Sequence, residues 1–230
     1  MTSDVERKEV KVGISQRKQR ERREREALIL DAARELLFKK GLQDTSINLI
    51  AKTAELGVGT IYSYFNSKEE IFSSLQIEGL DILYKSIESV CRREEEPEEK
   101  LRQTASRYLQ FSQDQKNYFD IINYFLSSPQ IMLGNDWKRK VDFQGKRILT
   151  LISGCLEKGI SAGRFREADP WKCAIMFWAT LHGLIQLRKL QPTILRGNNL
   201  EEFYNDSVEQ MIEGFKIKGA SHDKNKDDTE

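Results

Sequence analysis

The stretch from Ser46 to Phe65 constrains this chain more than any other, because it encodes two helices too short to exist alone. Ile47, Ile50, Ala51 and Ala54 recur at helical spacing and make one apolar face. Glu55-Leu56-Gly57 breaks that face, and Ile61 and Phe65 then lie four apart on a second short helix. One or two helical turns gain too few hydrogen bonds to offset nucleation, so both helices must lean on a larger body. What stays outward is Gly57, Val58, Gly59, Thr60, Tyr62, Ser63 and Tyr64, mostly small or hydroxylated residues that let a surface come close. A short helix with such a face, held by a two-helix corner, suits the major groove of DNA. The same corner also occurs as plain packing in all-helical proteins, and spacing alone leaves both readings open.

The rest of the chain reads as helix. Only 4 prolines occur in 230 residues, which leaves long stretches free of the commonest helix breaker. No run alternates apolar and polar residues long enough to make a sheet, so the expected class is all-α. A first helix over about 17–40 buries Ile29, Ala32, Ala33, Leu36 and Leu37 and stops at Gly41. Thr45 or Ser46 can cap the second helix, and Ser67-Lys68-Glu69-Glu70 reads as a capping box opening a fourth. That fourth helix keeps Phe72, Leu75, Gly79, Ile82, Leu83 and Val90 on one face. Beyond the acidic run Glu94–Glu99, helices are expected over 98–114, 117–127, 137–161, 170–190 and 200–216. The 170–190 segment is apolar on nearly all sides and should therefore be covered on both.

These residues carry a family resemblance. Ile50-Ala51, Ala54, Gly59-Thr60, Tyr62, Tyr64-Phe65, Lys68 and Ile71-Phe72 match, in register, the helix-turn-helix pattern of TetR-family transcriptional regulators. Upstream, Ile29 to Phe38 followed by Gly41 and Thr45-Ser46 resembles that family's first helix and its exit. The likeness runs without a gap over about 24–75, with one departure: Glu55 stands where glycine is usual at the turn. Gly163-Arg164-Phe165-Arg166, then Asp169-Pro170-Trp171 and Phe177 to Leu184, resembles the C-terminal half of many relatives.

The resemblance implies a DNA-binding head at 17–66 and a helical effector-binding and dimerisation domain at 67–217. A disordered basic and polar arm at 1–16 and a disordered tail at 218–230 complete the expected division. Asn48, Gly57, Val58, Gly59 and Tyr62 would face base edges, where asparagine can pair with adenine and valine can pack on a thymine methyl. Ser46, Thr60, Tyr64 and Lys68 would hold phosphates. Tyr108, Phe111, Asn123, Tyr124, Trp137, Phe177, Trp178 and His182 would line a pocket for a small apolar or amphipathic effector. Trp178, Leu181, Ile185, Tyr204, Met211 and Phe215 would form the homodimer interface. The implied function is a ligand-responsive regulator, most simply a repressor, released from a palindromic operator by its effector. The alternative is a helical protein- or lipid-binding module whose DNA-binding head no longer works.

Composition narrows the remaining classes. The net charge of +1 by itself points to no nucleic acid, but Arg17, Lys18, Arg20, Arg22, Arg23 and Arg25 face only Glu21 and Glu24 within 16–25. A locally basic end can hold phosphates in a nearly neutral protein. That arm reads either as a solvated helix start or as an extension reaching the DNA backbone. Cys91, Cys155 and Cys173 match neither a disulfide framework nor metal-ligand spacing. Two histidines, no phosphate loop and no nucleophile motif leave no support for an enzyme, a metal or a cofactor. A cytoplasmic setting without a membrane partner is expected, since no apolar run is long enough to span a bilayer.

Overall fold

The computed structural model describes residues 2–127, 134–190, 193, 195 and 199–217, without the side chains of 2–15 and 189. Among these it contains α1 (Thr2–Lys40), α2 (Ile47–Thr53), α3 (Val58–Tyr62), α4 (Lys68–Cys91) and α5 (Pro97–Asp114). There follow α6 (Lys116–Ser127), α7 (Asn135–Ser161), α8 (Pro170–Gln186) and α9 (Leu200–Phe215). The helices divide into two compact units, one of residues 1–79 with 116–141 and one of 80–115 with 142–230. The helices α4 and α7 each lend residues to both.

In the first unit α1 supplies Ile29, Ala33 and Leu37, α2 supplies Ile50 and Ala51, and α3 supplies Ile61, all buried. These are the apolar positions whose spacing defined the helices, so the short α2 exists because α1 covers it, and α3 because it packs on α2. The first half of α4 adds Ile71, Phe72 and Leu75. Helix α6 belongs to this unit as well. Its Tyr118 hydroxyl donates to the Glu78 carboxylate at 2.5 Å, and Arg34 of α1 grips the same carboxylate at 2.8 and 3.0 Å. Gly79 makes this close approach possible, because a β-carbon there would lie 2.7 Å from that of Tyr118.

In the second unit α5, α8 and α9 enclose a common core. Ala174, Phe177, Leu181 and Ile185 point inward from α8, and Tyr204, Val208, Ile212 and Phe215 from α9. The buried Tyr204 hydroxyl donates to the carbonyl of Ala105 on α5 at 2.8 Å, which satisfies a phenol that would otherwise be costly to bury. At the exit of α7, Gly163 takes φ 67 and Phe165 tucks against Gly159. Arg164 then pairs with Glu98 at 2.9 Å and Glu96 at 3.1 Å.

Two expectations change. The stretch 2–16 is the start of α1, not a disordered arm. An apolar stripe is not needed for helix there, and where the helix continues, Arg17–Glu21 and Arg22–Glu26 pairs four residues apart support it at 2.8 and 2.9 Å. The 170–190 helix finishes its α-helical part at Gln186 and tightens to a 3-10 turn over Leu187–Leu190. The expected tail at 218–230 lies outside the described residues.

Candidate functional site

The turn between α2 and α3 is built without its usual glycine. Ala54 caps α2, and Glu55 follows at φ 54, a left-handed conformation that few side chains adopt. The Leu56 amide donates to the Ala51 carbonyl at 2.9 Å and the Glu55 amide to Lys52 at 3.3 Å. This six-to-one and five-to-two pair is the Schellman closure that normally places glycine at the left-handed position. Ser46 caps the other end of α2, its Oγ accepting from the Leu49 amide at 3.3 Å.

The closure delivers α3 with Ile61 fully buried and the opposite side open. Gly57, Val58, Gly59 and Tyr62 are exposed, Tyr62 at 52 %, and Thr60 and Tyr64 are half-buried. Asn48 is exposed on α2. A β-carbon on Gly59 would meet nothing within 4 Å, and one on Gly57 only Thr60 Oγ1 at 3.8 Å. Neither glycine has the positive φ that would explain it. Gly57 serves as the N-cap of α3, where glycine is tolerated, whereas Gly59 weakens the short helix and internal packing does not demand it. The backbone of α3 is bare on this side.

The flanks of α3 carry positive charge. Lys68 opens α4 with its ammonium 5.3 Å from the Phe72 ring centroid, and Ser67 Oγ accepts the Glu70 amide at 3.3 Å. The Glu70 carboxylate reaches back one residue further than a standard capping box, accepting the Asn66 amide at 2.9 Å. Arg22, from the basic part of α1, lies over the Tyr64 ring at 5.7 Å. Tyr64, expected only at phosphate, thus has a partner forty-two positions away that no local pattern indicates.

The eight residues expected to line an effector pocket fall in both units. In the second, the Tyr108 hydroxyl and His182 Nδ1 share a hydrogen bond of 2.7 Å, while Trp178 stacks on the imidazole at 5.4 Å. Gln186 Nε2 approaches His182 Nε2 at 3.3 Å. Burial lowers the pKa of His182 and so favours the neutral ring, and burial also raises that of Tyr108. Phe111 and Phe177 are buried on the same two helices, α5 and α8. Arg188, absent from the expected set, donates to Ser112 Oγ at 2.9 Å and adds a cation to this unit. Asn123, Tyr124 and Trp137 belong to the first unit, where Trp137 stacks on Phe65 at 6.4 Å.

Four of the six expected interface residues are corrected. Leu181, Ile185, Tyr204 and Phe215 are buried inside the single chain, Leu181 at 1 % exposure, and are not available to a partner. All-round apolarity identified α8 as doubly covered but could not say which face the chain itself covers. The outward face carries Trp171, Ile175 and Met176, with Ala179 and Gly183 further along and Phe203 on α9. Trp178 and Met211 are half-buried.

Among the described residues no group of histidine, cysteine, aspartate and glutamate could hold a metal ion, and no helix is long and apolar enough to cross a membrane.

Comparison with known proteins agrees with this geometry. The family model described as bacterial regulatory proteins, tetR family, matches residues 29–75, and one described as tetracyclin repressor-like, C-terminal domain, matches 101–215. The fatty acid metabolism regulator protein of Bacillus subtilis is 28% identical over 139 residues, covering 60% of this chain and 70% of the relative. The uncharacterized HTH-type transcriptional regulator YhgD of the same organism is 29% identical over 202 residues, covering 86% and 97%. The crystal structure of the transcriptional regulator FadR from Bacillus subtilis in complex with stearoyl-CoA shares the fold, with a TM-score of 0.62 at 23% identity over 82% of this chain and 98% of that one.

Proposed function

The chain belongs to the TetR family of bacterial regulatory proteins, and from that membership we propose a repressor that binds a palindromic operator as a homodimer and is released by an acyl-CoA effector. It is a transcriptional regulator related to fatty acid metabolism regulators, not an enzyme. The observation that carries the DNA-binding part is the open face of α3. Gly57 caps α3, and Gly59 inside it has open space around its missing β-carbon; the two flank Val58, beside the exposed Tyr62. That face lets the backbone approach base edges, with Asn48, Val58 and Tyr62 reading them. Ser46, Thr60, Tyr64 and Lys68 hold the phosphates on either side, and phosphate contacts set register without carrying sequence information.

Support for the effector comes from the relatives. A fatty acid metabolism regulator matches this chain, and a structure of the same fold was solved with stearoyl-CoA. The aromatic residues Tyr108, Phe111, Phe177 and Trp178 offer an apolar lining, and His182 and Arg188 offer polar and cationic groups for a thioester or phosphate. Binding lowers operator affinity only to the extent that the effector prefers the state that cannot bind DNA.

The test is fluorescence anisotropy with DNA from the chain's own promoter and with scrambled DNA, across a salt series. The proposal expects tighter binding to the promoter, a steep loss with salt, and release by stearoyl-CoA but not by coenzyme A alone. Equal affinity for both DNAs would overturn the operator reading. Specific binding that ignores acyl-CoAs of every chain length would overturn the effector alone.

A further inference from the structure

Cys91 and Cys155 belong neither to the DNA-binding face nor to the aromatic effector lining. Sixty-four residues apart in sequence, their sulfurs lie 3.2 Å apart, within thiol hydrogen-bond contact, and both belong to the second unit. Cys91 is the last residue of α4, half-buried, its thiol also directed to the Leu151 carbonyl on α7 at 3.9 Å. Cys155 is buried one helical turn further along α7. Two further groups act on the pair. Lys100, itself only 6 % exposed, favours the thiolate form of both cysteines through its charge. The buried Thr104 hydroxyl lies close enough to favour a thiolate on Cys91 by hydrogen bonding. Two thiols in contact, a buried lysine and a buried hydroxyl thus share one location.

We propose that Cys91 and Cys155 form a redox site at which hydroperoxides generate an intramolecular disulfide.

The hydrogen bond between the sulfurs makes the first proton easier to lose and the second harder. It holds Cys155 below the ordinary thiol pKa, with Lys100 assisting against burial, and pushes Cys91 up. The thiolate sulfur attacks a peroxide oxygen, the O–O bond breaks, and an alcohol or water leaves after taking up a proton. The product is a sulfenic acid. The second thiol attacks that sulfur, an S–S bond forms, the S–O bond breaks, and the hydroxyl leaves as water with the second thiol's proton. Two thiols have then lost two electrons and two protons, and the hydroperoxide has been reduced to an alcohol or water plus water. Reduction by a dithiol reverses the bridge.

Cys173 is the internal control. It is half-buried on α8, with its thiol pKa raised by burial, and no sulfur partner lies beside it among the described residues.

The experiment exposes full-length reduced protein to hydrogen peroxide, alkylates the remaining thiols, digests without reductant and maps the peptides. The expected result is a Cys91–Cys155 cross-link, lighter by two hydrogens and cleaved by dithiothreitol, with Cys173 alkylated. The bridge should form about tenfold or more faster in the folded chain than in the chain unfolded in urea, because folding holds the reacting sulfurs together. Cys173→Ala should form it normally, and Cys91→Ala should stop at a sulfenic acid on Cys155 that dimedone captures. Alkylation of both Cys91 and Cys155 at a peroxide level that already oxidises Cys173 would overturn the proposal, as would a bridge forming no faster in the folded chain. The wild-type map decides the matter even if a cysteine variant folds poorly.

Discussion

At the scale of single residues, Glu55 is the one non-glycine residue with positive φ among those described. A left-handed conformation costs an L-residue roughly 1–2 kcal/mol, and glycine avoids that cost while gaining freedom in the unfolded chain. Glu55→Gly should stabilise the protein by about 1 kcal/mol in urea denaturation, the steric relief exceeding the entropic loss. An unchanged midpoint would mean that the glutamate side chain compensates locally. On the neighbouring α3, Tyr62→Ala and Lys68→Ala separate two roles. The first should cost about 1–3 kcal/mol on the operator and relax base preference. The second should weaken operator and scrambled DNA alike. Because Tyr62 is exposed, its variant should keep the parent's thermal unfolding curve. A drop in melting temperature would show that the ring packs after all.

At the scale of elements, the exit of α7 and the start of α5 are joined by Arg164 and Glu98. Burial of Glu98 would raise its pKa, but the Arg164 hydrogen bonds and charge outweigh it and hold the carboxyl below its ordinary value. A carboxylate with a depressed folded pKa contributes stability that is fully present above the unfolded value of about 4.3 and lost as pH falls through the lower folded one. Glu98→Gln should therefore lower the urea midpoint at neutral pH, with the difference from wild type shrinking as the pH drops below about 4. Parallel curves across that range would dissociate the pair from acid stability. The basic stretch of α1 poses a second question at this scale, since Arg22 already reaches the Tyr64 ring. Removing residues 1–20 should weaken specific and nonspecific binding similarly and flatten the salt slope by about 0.9 for each phosphate no longer neutralised. An unchanged slope would make the extension a solvated helix start.

At the scale of the whole molecule, the outward face of α8 predicts how two copies meet. Ile175 and Met176 are 42 % and 46 % exposed, and the small Ala179 and Gly183 on the same side would let a second helix approach closely. Large apolar side chains left in water on one helix face are what a helical homodimer buries. Ile175→Glu should yield folded monomers in analytical ultracentrifugation that bind a half-site weakly. Leu181→Glu, which the unaided sequence would have chosen to split the dimer, should instead unfold the second unit, because it forces an unpaired charge into the core at a cost of several kcal/mol. Folded dimers of Ile175→Glu would move the interface elsewhere.

The sequence by itself determined that this protein is helical, where α2, α4, α5, α8 and α9 begin, and the family to which it belongs. Local chemistry is sufficient for that: Ser46 and Ser67 cap α2 and α4, Pro97 and Pro170 open α5 and α8, and apolar spacing marks each inner face. The resemblance marked Glu55 as the departure at the turn, but only the structure shows it at φ 54. Tertiary structure alone decided which side of α8 is core, since a helix apolar all round carries no periodic signal and only the packing of α5 and α9 breaks the tie. It also decided that Arg34 and Tyr118 share Glu78, that Arg22 reaches Tyr64, and that Cys91 meets Cys155. Those partners are separated by tens of residues, and no local pattern encodes a distance that arises only when helices pack.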